Sequence, residues 1–412
     1  MADQDVVIIG AGVIGLVSAL ELKRRGRSVL LVDRQRPGSG ASMGNAGTIA
    51  DFAVAPIGSP ALLKQLPEIL LQQDGPFSIR SGALMSLMPW LGQFVWQSLG
   101  SNARKNMQAI AALTLDAGSR WQALATSINA DHLLHSKGCI YVYESKASFL
   151  LAKQDLARRA ALGVPMQWLS PADLAVLEPH WPQVEGGGVL FPAAQSVLDP
   201  GKLMQELTEA VVKEGVELMT AEVQEVSPQR GAVVLNLSSG KRLKAKQVVV
   251  AAGAHSKKFA DQVGDAVPLD TERGYHLEYD GAEARVSRPV CSAADGFYCS
   301  PMLGRLRAAG TVELGGLAAP VSEARVASLS RRVAALFPDL QSPSRVWMGF
   351  RPSMPDSRPV ISPSRLGRQV VYAFGHGHIG LTLAPVTATL VAACISGQSP
   401  ALPIDAYRVD RF

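Results

Sequence analysis

The N-terminal stretch Asp5-Val-Val-Ile-Ile-Gly10-Ala-Gly-Val-Ile-Gly15 decides the fold of this chain. Residues 6–9 are a continuous apolar run, which is typical of a strand buried on both faces. The glycines that follow have G-x-G-x-x-G spacing, and a helical pattern then runs to about Gly26. Ser28-Val-Leu-Leu-Val32 indicates a second buried strand, which Asp33 ends. The segment is therefore predicted to be a βαβ unit of about 30 residues.

Each glycine of this turn has a role if the unit binds a dinucleotide. Gly10 permits the tight turn, Gly12 lets a pyrophosphate approach the backbone, and Gly15 lets the helix pack closely on the strand. The helix N-terminus favours negative charge. Asp33, about 20 residues on, is placed to bind a ribose 2′-hydroxyl and disfavours a 2′-phosphate. FAD and NAD both satisfy this pattern, so the motif alone does not select between them.

Composition excludes several other classes of protein. Of 412 residues, 47% are hydrophobic and 18% are charged, so the chain can bury a large core and is not intrinsically disordered. The net charge is +5 without a run of five Lys or Arg residues, which argues against a nucleic-acid partner. The four cysteines form no CxxC pair, so we expect reduced thiols and no metal site.

The sequence predicts no transmembrane helix, because we find no apolar run of about 18 residues. The apolar segment at residues 6–17 follows Asp3 and Asp5 where a signal peptide carries basic residues. Residues 83–95 are also apolar, but Pro89 interrupts them, so they are a candidate for a core helix or for lipid contact. We expect a cytoplasmic protein, with a peripheral position on the inner face of the membrane as the variant.

The design of a buried strand followed by a glycine turn recurs later in the chain. Residues 248–253 form an apolar run that ends in small residues, and residues 370–374 precede the turn Gly375-His-Gly-His-Ile-Gly380. These pieces suggest one nucleotide-binding domain with a second domain inserted in it. The predicted boundaries are 1–80, 190–265 and 346–412 for the first domain, and 81–189 and 266–345 for the second.

Five segments in one order carry a resemblance to a known family: residues 10–15, 39–47, 248–253, 349–352 and 375–382. The series resembles the FAD-dependent amino-acid and amine oxidoreductases, which include D-amino-acid dehydrogenase, D-hydroxyproline dehydrogenase, glycine oxidase and sarcosine oxidase. The likeness is strongest to the bacterial D-amino-acid dehydrogenase branch, through Ala41-Ser-x-x-Asn-Ala-Gly47 and Arg273-Gly-Tyr-His-Leu277. It implies an α/β fold: a glutathione-reductase-like, Rossmann-type FAD-binding domain with an inserted antiparallel-sheet α+β substrate domain.

The resemblance implies FAD as the cofactor, and we expect it to be bound without a covalent link. In the family, the loop at residues 39–47 passes along the flavin, and the turn that begins at Gly375 faces the flavin pyrimidine. His376 and His378 are then turn residues and not metal ligands. The predicted cofactor-binding residues are Gly10, Gly12, Val13, Ile14, Gly15, Asp33, Arg34, Ser42, Asn45, Ala46, Gly47, Val223, Ala252, Gly253, Gly375, Gly377, His378, Gly380, Leu381 and Thr382.

Two residues are predicted to position the substrate. Arg351 lies between a Phe and a Pro, and its planar fork suits a carboxylate in a cleft; the family uses the matching Arg for this purpose. Strand alternation turns one of Tyr275 and His276 inward, and the resemblance favours Tyr275. Tyr298 and Arg305 are candidates for a second wall of the site. Arg358, close to Arg351 in sequence, ranks second to it and is expected to be structural.

The implied reaction is oxidation of the C–N bond of a free amino acid, either a D-amino acid or a secondary amine such as a proline derivative. Hydride passes to the flavin, and the resulting imine is hydrolysed to a 2-oxo acid. The electron acceptor implied is a quinone or another carrier. Three alternatives stay open: a glycine- or sarcosine-type oxidase that uses oxygen, an NAD(P)-dependent dehydrogenase, and a non-catalytic flavin-binding subunit.

Overall fold

The computed structural model describes residues 4–64 and 77–412. Its strands form two large sheets and one small sheet. The strands are β1 (Gln4–Ile9), β2 (Val29–Asp33), β3 (Thr48–Ile49), β4 (Phe77–Ile79), β5 (Leu134–His135), β6 (Cys139–Tyr143), β7 (Gln167–Leu169), β8 (Gly187–Phe191), β9 (Gln195–Val197), β10 (Glu217–Thr220), β11 (Val223–Gln229), β12 (Ala232–Leu237), β13 (Arg242–Val250), β14 (Asp270–Asp280), β15 (Val290–Ser292), β16 (Phe297–Met302), β17 (Arg305–Leu314), β18 (Arg345–Ser353), β19 (Val360–Ser364) and β20 (Gly367–Phe374).

Helices cover both faces of the first sheet and parts of the second. They are α1 (Val13–Arg24), α2 (Leu84–Gln97), α3 (Gly100–Thr114), α4 (Ala117–Ser127), α5 (Lys146–Ala161), α6 (Pro171–Leu177), α7 (Pro200–Lys213), α8 (Ser256–Val263), α9 (Glu323–Leu336) and α10 (Gly380–Ser396).

The first sheet has the order β10-β2-β1-β13-β12-β11, with β20 beside β13 and β19 beside β20. The pairs β10–β2, β2–β1, β1–β13 and β13–β20 are parallel, whereas β12 is antiparallel to both β11 and β13. Alternate residues of β1 face two separate cores: Val6 and Ile8 pack with α1 and α10, whereas Val7 and Ile9 pack on the side of α8. Burial on both faces explains the continuous apolar runs, and the predicted βαβ unit is confirmed.

The second sheet has the order β18-β14-β17-β16-β15-β6-β8-β7, and β4 joins it beside β17. Most of its pairs are antiparallel. Helix α9 covers one face, where Leu329 and Val333 pack against Tyr275 and Leu277. The opposite face of β14 is turned toward the first sheet, and this face carries the site described below.

Strand pairing corrects three of the predicted domain boundaries. Strands β4, β8 and β18 pair within the second sheet, although residues 77–80, 190–191 and 346–353 were assigned to the FAD-binding domain. The error at β18 has a clear cause, because this strand pairs with β14 along its whole length, from Arg345 opposite Glu278 to Ser353 opposite Asp270. In addition, α3 and α4, assigned to the substrate domain, pack in the same core as α1.

One helical segment of the described chain, Gly377–Ser396, is long and apolar enough to cross a membrane, with a mean hydropathy of 1.9. The sequence expectation had overlooked this segment. It is 83% buried within the fold, and α10 packs there against α1 and β20. This burial is typical of a core helix.

Candidate active site and cofactor cleft

A cavity of about 1330 Å³ lies between the two large sheets. One wall is formed by the carboxyl ends of β1, β2 and β13, and the other by β14, β17 and β18. All the predicted cofactor-binding residues except Gly15, Gly47 and Gly375 line this cavity. Gly15 lies in the first turn of α1, Gly47 directly before β3 and Gly375 directly after β20.

Two glycines of the motif after β1 have no room for a side chain. Gly10 has φ +107°, and a Cβ there would lie 2.4 Å from the carbonyl oxygen of Ala251. A Cβ at Gly15 would lie 1.8 Å from the carbonyl oxygen of Gly10. The turn therefore brings bare backbone to the cavity and α1 close against the sheet, as a pyrophosphate site requires.

Asp33 is fixed at the end of β2, at the cavity wall. Its Oδ2 accepts the Ala11 N–H at 2.7 Å, and its Oδ1 accepts the Gln35 N–H at 2.9 Å. Beside it, the Arg34 guanidinium donates to Nε2 of His255 at 2.8 Å. Burial and the adjacent Arg34 charge lower the pKa of His255, so the ring is a neutral acceptor. Sequence reasoning missed His255, which extends the ribose end of the cavity.

The loop at residues 39–47 is tied to the start of α1. The Ser42 hydroxyl accepts the Val13 N–H at 2.9 Å, and the Asn45 side chain accepts the Gly47 N–H at 2.8 Å. A Cβ at Gly44 would lie 2.1 Å from the ring of Trp347, so the loop also packs closely on the second sheet. The loop thus forms the junction between the two halves of the cavity.

Two side chains of the second sheet hold this loop by its carbonyl groups. Nδ1–H of His276 donates to the Gly44 carbonyl at 3.0 Å, and its ring stacks on Trp347. Burial lowers the pKa of His276 to about 4, so the ring is neutral near pH 7. Arg307 donates to the carbonyl groups of Met43 and Asn45.

Arg307 is in turn held by Glu278. Glu278 accepts from Arg307 at 2.7 Å, from Arg305 at 2.8 Å and from Arg345 at 2.7 Å. Burial alone would raise the pKa of Glu278, but these three guanidinium groups hold it at about 2. Arg305, predicted to lie in a second wall of the substrate site, belongs to this cluster and also pairs with Asp199.

The turn at residues 375–380 lines the cavity together with the start of α10. Gly375 has φ +81°, and a Cβ there would lie 2.7 Å from the Met354 side chain. The hydroxyl of Thr382 accepts the Ala50 N–H at 3.0 Å, and Trp121 donates to the Leu381 carbonyl at 2.8 Å. These contacts fix the N-terminal end of α10 at the cavity, where its dipole favours negative charge.

The two histidines of this turn have different surroundings. His376 is buried and bonded to the Thr387 hydroxyl at 3.0 Å, and burial lowers its pKa to about 3. His378 is accessible from the cavity, and desolvation, with Arg351 and Arg159 nearby, lowers its pKa to about 4. Both rings are therefore neutral at pH 7.

Arg351 lies on β18 with its guanidinium against the backbone of β14. Its Nη1 donates to the Thr311 carbonyl at 3.0 Å. A Cβ at Gly274 would lie 2.4 Å from Cζ of Arg351, so only glycine leaves room for the guanidinium there. Burial lowers the pKa of Arg351, and Glu272 opposes that shift. The cavity wall thus presents a fixed, partly desolvated cation.

The acceptor for Arg351 is created by a bulge in β17. Arg273 pairs with Glu313 and Tyr275 pairs with Gly310, so two residues, Thr311 and Val312, lie opposite Gly274. Thr311 has φ +58°, which is rare for a β-branched residue. The bulge re-aims the Thr311 backbone toward Arg351. The buried Thr311 hydroxyl has no hydrogen-bond partner among the described residues.

Tyr275, predicted to position the substrate, has its hydroxyl inside the second sheet. The hydroxyl donates to Glu313 at 2.7 Å and accepts the Ser322 N–H at 3.2 Å. The ring belongs to the core under α9. Tyr275 also lines the cavity, whereas His276 faces the loop at 39–47. The role of Tyr275 in positioning the substrate stays a prediction.

The remaining candidates divide between the cavity and the scaffold. Tyr298 lines the cavity, and its hydroxyl bonds that of Tyr141 at 2.7 Å. Arg358 pairs at 2.8 Å with Asp356, a structural role. Sequence reasoning missed Arg159, which lines the cavity on the Tyr141 side and donates to the Phe52 carbonyl at 2.8 Å.

Helix α2 covers the end of the cavity that contains Arg351. Trp90 and Phe94 line the cavity and pack on Leu314, and the Trp90 ring N–H donates to the Ser353 carbonyl at 3.3 Å. The outer face of the same helix is apolar and accessible, with Met85 84% exposed and Trp96 62% exposed.

Comparison with known proteins identifies the family. Residues 5–394 match the family model DAO, described as FAD dependent oxidoreductase. The chain belongs to this family. A D-amino-acid oxidase from Bradyrhizobium diazoefficiens is 33% identical over 419 residues, covering 99% of this chain and 98% of the relative. A D-amino acid dehydrogenase from Vibrio vulnificus is 27% identical, covering 95% and 96%.

Solved structures show the same fold. Glycine oxidase from Geobacillus kaustophilus superposes with a TM-score of 0.81 at 24% identity over 100% of both chains. L-proline dehydrogenase from P. horikoshii superposes with a TM-score of 0.76 at 17% identity, covering 100% of this chain and 98% of that one. The predictions of the family, the fold class, FAD and an oxidoreductase are confirmed.

The cavity fits FAD on its own geometry. The bare turn at Gly10 and Gly12, the N-terminus of α1 and the Asp33 carboxylate lie in sequence along one wall, as a dinucleotide requires. The loop at 39–47 and the N-terminal end of α10 flank the other end of the same cavity. These two segments would hold the flavin ring.

Proposed function

We propose that this protein oxidises the Cα–N bond of a free amino acid, either a D-amino acid or a secondary amine such as a proline derivative. The observation that carries the proposal is Arg351, a partly desolvated guanidinium in the wall of the FAD cavity. The names of the relatives, D-amino-acid oxidase and D-amino acid dehydrogenase, support the same substrate class.

Arg351 is suited to bind the α-carboxylate. One Nη1 donor is committed to Thr311, and the planar fork retains further donors for a bidentate contact with a carboxylate. Because α2 covers this end of the cavity, water is reduced there and the charge pair is strengthened. The substrate is thereby oriented by its carboxylate, which fixes where its Cα lies.

Bound FAD supplies the hydride acceptor for such a reaction. The chain's own residues hold the site around it. His276 and Arg307 fix the loop at 39–47, and Thr382 and Trp121 fix the start of α10. The imine product is then hydrolysed by water to a 2-oxo acid, with release of ammonia when the amine is primary.

Anaerobic mixing with a panel of D- and L-amino acids tests the proposal through loss of flavin absorbance. We expect at least one amino acid to bleach the flavin. Arg351→Ala should lower kcat/KM for that amino acid, mainly by raising KM, with a loss of transition-state stabilisation of about 2–5 kcal/mol. Arg351→Lys should recover only part of the lost kcat/KM. Unchanged KM with Arg351→Ala would remove this residue from the substrate site. No bleaching by any amine would favour a non-catalytic flavin-binding subunit.

For the electron acceptor we propose a quinone or another carrier, reached from a peripheral position on the inner face of a membrane. The support is the apolar outer face of α2, with Met85 and Trp96 exposed. Residues 75–115 contain no Asp or Glu, and Arg104 and Lys105 lie just beyond α2. This composition suits an anionic lipid surface.

Sedimentation with anionic vesicles tests the membrane half of this proposal. Wild type should sediment with the vesicles, and Trp96→Ser should reduce the bound fraction without loss of FAD.

The second candidate function, an oxidase, is favoured by the name of the 33% identical relative. Peroxide formed as fast as substrate is consumed, without gain from an added dye, would establish the oxidase instead.

A further inference from the structure

Glu272 is a buried carboxylate in the cavity that the mechanism above does not use. It lies on β14 directly opposite Arg351 of β18, and both residues line the cavity. Only 3% of the surface of Glu272 is exposed to solvent. Its Oε2 has no hydrogen-bond partner among the residues that the structure describes. Burying a polar atom without a hydrogen-bond partner destabilises the fold, so an atom of this kind in a cavity wall indicates a place where a ligand binds.

The pair formed by Glu272 and Arg351 matches the charges of a free amino acid. Directly paired residues on antiparallel strands have Cβ atoms about 5 Å apart on one face of the sheet. The wall therefore offers one anion and one cation side by side. A free amino acid carries its carboxylate and its ammonium on the same carbon atom. The carboxylate can therefore pair with Arg351 while the ammonium pairs with Glu272.

We infer that Glu272 binds the amino group of the substrate and accepts its proton. The inference rests on the proposed function, in which Arg351 binds the carboxylate. In the step, an N–H bond of the ammonium breaks and an O–H bond forms on Glu272, which leaves a neutral amine with a free electron pair. That pair then assists departure of hydride from Cα. Glu272 returns its proton to water when the product leaves.

The surroundings of Glu272 are consistent with a base. Burial raises the pKa of Glu272, while Arg351 and the Ser353 hydroxyl lower it. On β17 its paired neighbour is Leu314, which packs under α2. The titratable ring accessible in the adjacent turn, His378, is already neutral at pH 7. A carboxyl with a raised pKa is a better proton acceptor than an exposed one.

Glu272→Gln tests the inference, because the amide keeps the shape of the side chain but cannot take a proton. Anaerobic flavin reduction is measured from pH 6 to 10 with the amino acid that wild type reduces fastest. At pH 7 we expect kcat/KM to fall by about 10²- to 10⁴-fold. The loss should shrink steadily toward pH 10, because an increasing share of the substrate then arrives as the neutral amine.

A binding measurement separates this role from a purely structural one. Propionate, which is alanine without its amino group, is titrated against the oxidised protein while the flavin spectrum is followed. Glu272→Gln should change the Kd for propionate by less than about threefold, whereas Arg351→Ala should raise it strongly. Glu217→Gln, an exposed carboxylate on β10, is the matched control and should leave both measurements unchanged.

Two results would overturn the inference: a loss in Glu272→Gln that is uniform across pH, or a large rise in the Kd for propionate, which would show that Glu272 acts through Arg351. If Glu272→Gln does not retain FAD, Glu272→Asp is used instead. That variant should keep a carboxylate-dependent pH profile displaced from that of wild type, and an identical profile would count against the assignment. Failure of wild type to be reduced by any amino acid would instead refute the proposed function.

Discussion

Replacing Gly274 by alanine perturbs Arg351 without altering its chemistry. The new Cβ would lie 2.4 Å from Cζ and Nη2 of Arg351 and 2.7 Å from its Nε. Gly274 does not have a left-handed backbone conformation, so alanine can adopt its φ and ψ. The clash is therefore with the guanidinium, the far end of a long side chain, which has to move.

The size of the effect follows from these distances. Ordinary van der Waals contact begins near 3.4 Å, so the guanidinium has to retreat by about 1 Å. A misplacement of about 1 Å can cost about 100-fold in rate, which corresponds to about 2.7 kcal/mol in kcat/KM. Because a carboxylate contact exists in both the ground state and the transition state, most of the loss should be in KM.

Steady-state kinetics with a dye acceptor, beside the FAD content and Tm of each variant, provide the assay. Gly100→Ala is the control, because a Cβ there meets no atom closer than 3.8 Å. In an Arg351→Ala background, the Gly274→Ala change should have almost no further effect, since no guanidinium remains to be displaced. An unchanged KM in Gly274→Ala, or a further loss of about 100-fold in the double variant, would refute the reasoning.

Three further predictions concern the cofactor and the loop that flanks it. Asp33→Ala should weaken FAD binding about ten- to a hundredfold through loss of about 1.5–3 kcal/mol, and full FAD after extensive dialysis would contradict this. Acid precipitation of wild type should release the yellow colour into the supernatant, because we predict a non-covalent FAD; colour in the pellet would show a covalent link. His276 has a folded pKa of about 4 against an ordinary 6.5, so the unfolded chain takes up its proton first as the pH falls. Its contribution to stability is present above pH 6.5 and should decline by about 2 kcal/mol at pH 5. The Tm of His276→Asn should therefore fall less between pH 7.5 and pH 5 than that of wild type, and an equal fall would disprove the assignment.

The FAD half of the site could be predicted from sequence because its recognition is local. The tight turn at Gly10, the N-terminus of α1 and Asp33 lie within one βαβ unit, and each has a residue type that its geometry demands. The helix after Gly375 repeats this arrangement, so it was found by the same pattern. His255 was missed because it comes from a distant segment and meets Arg34 only in the folded chain.

The substrate half could be predicted only in part. The resemblance to the family predicts Arg351 as a substrate residue, and the structure places it in the cavity wall. The sequence assigned its strand to the wrong domain, because the pairing of β18 with β14 is not visible in either strand alone. Tyr275 lines the cavity, but its hydroxyl is bonded to Glu313 and to the Ser322 N–H. These partners lie more than 35 residues further along the chain, so the sequence of β14 alone could not reveal them.

The position of Arg351 shows why this half is encoded differently. Its guanidinium is placed by the space at Gly274 on one neighbouring strand and by the Thr311 carbonyl, which a bulge in the next strand turns toward it. All of these features lie on the second sheet, outside the βαβ unit of the first sheet, so the second sheet can change while the nucleotide end of the cavity is kept. Glycine oxidase and L-proline dehydrogenase share the fold at 24% and 17% identity, yet their names give different substrates. Substrate choice on this fold is thus expected to follow the residues that face the cavity from β14, β17 and β18. Among the described residues of these strands that line the cavity, Glu272 and Thr311 each have a buried side-chain oxygen without a hydrogen-bond partner.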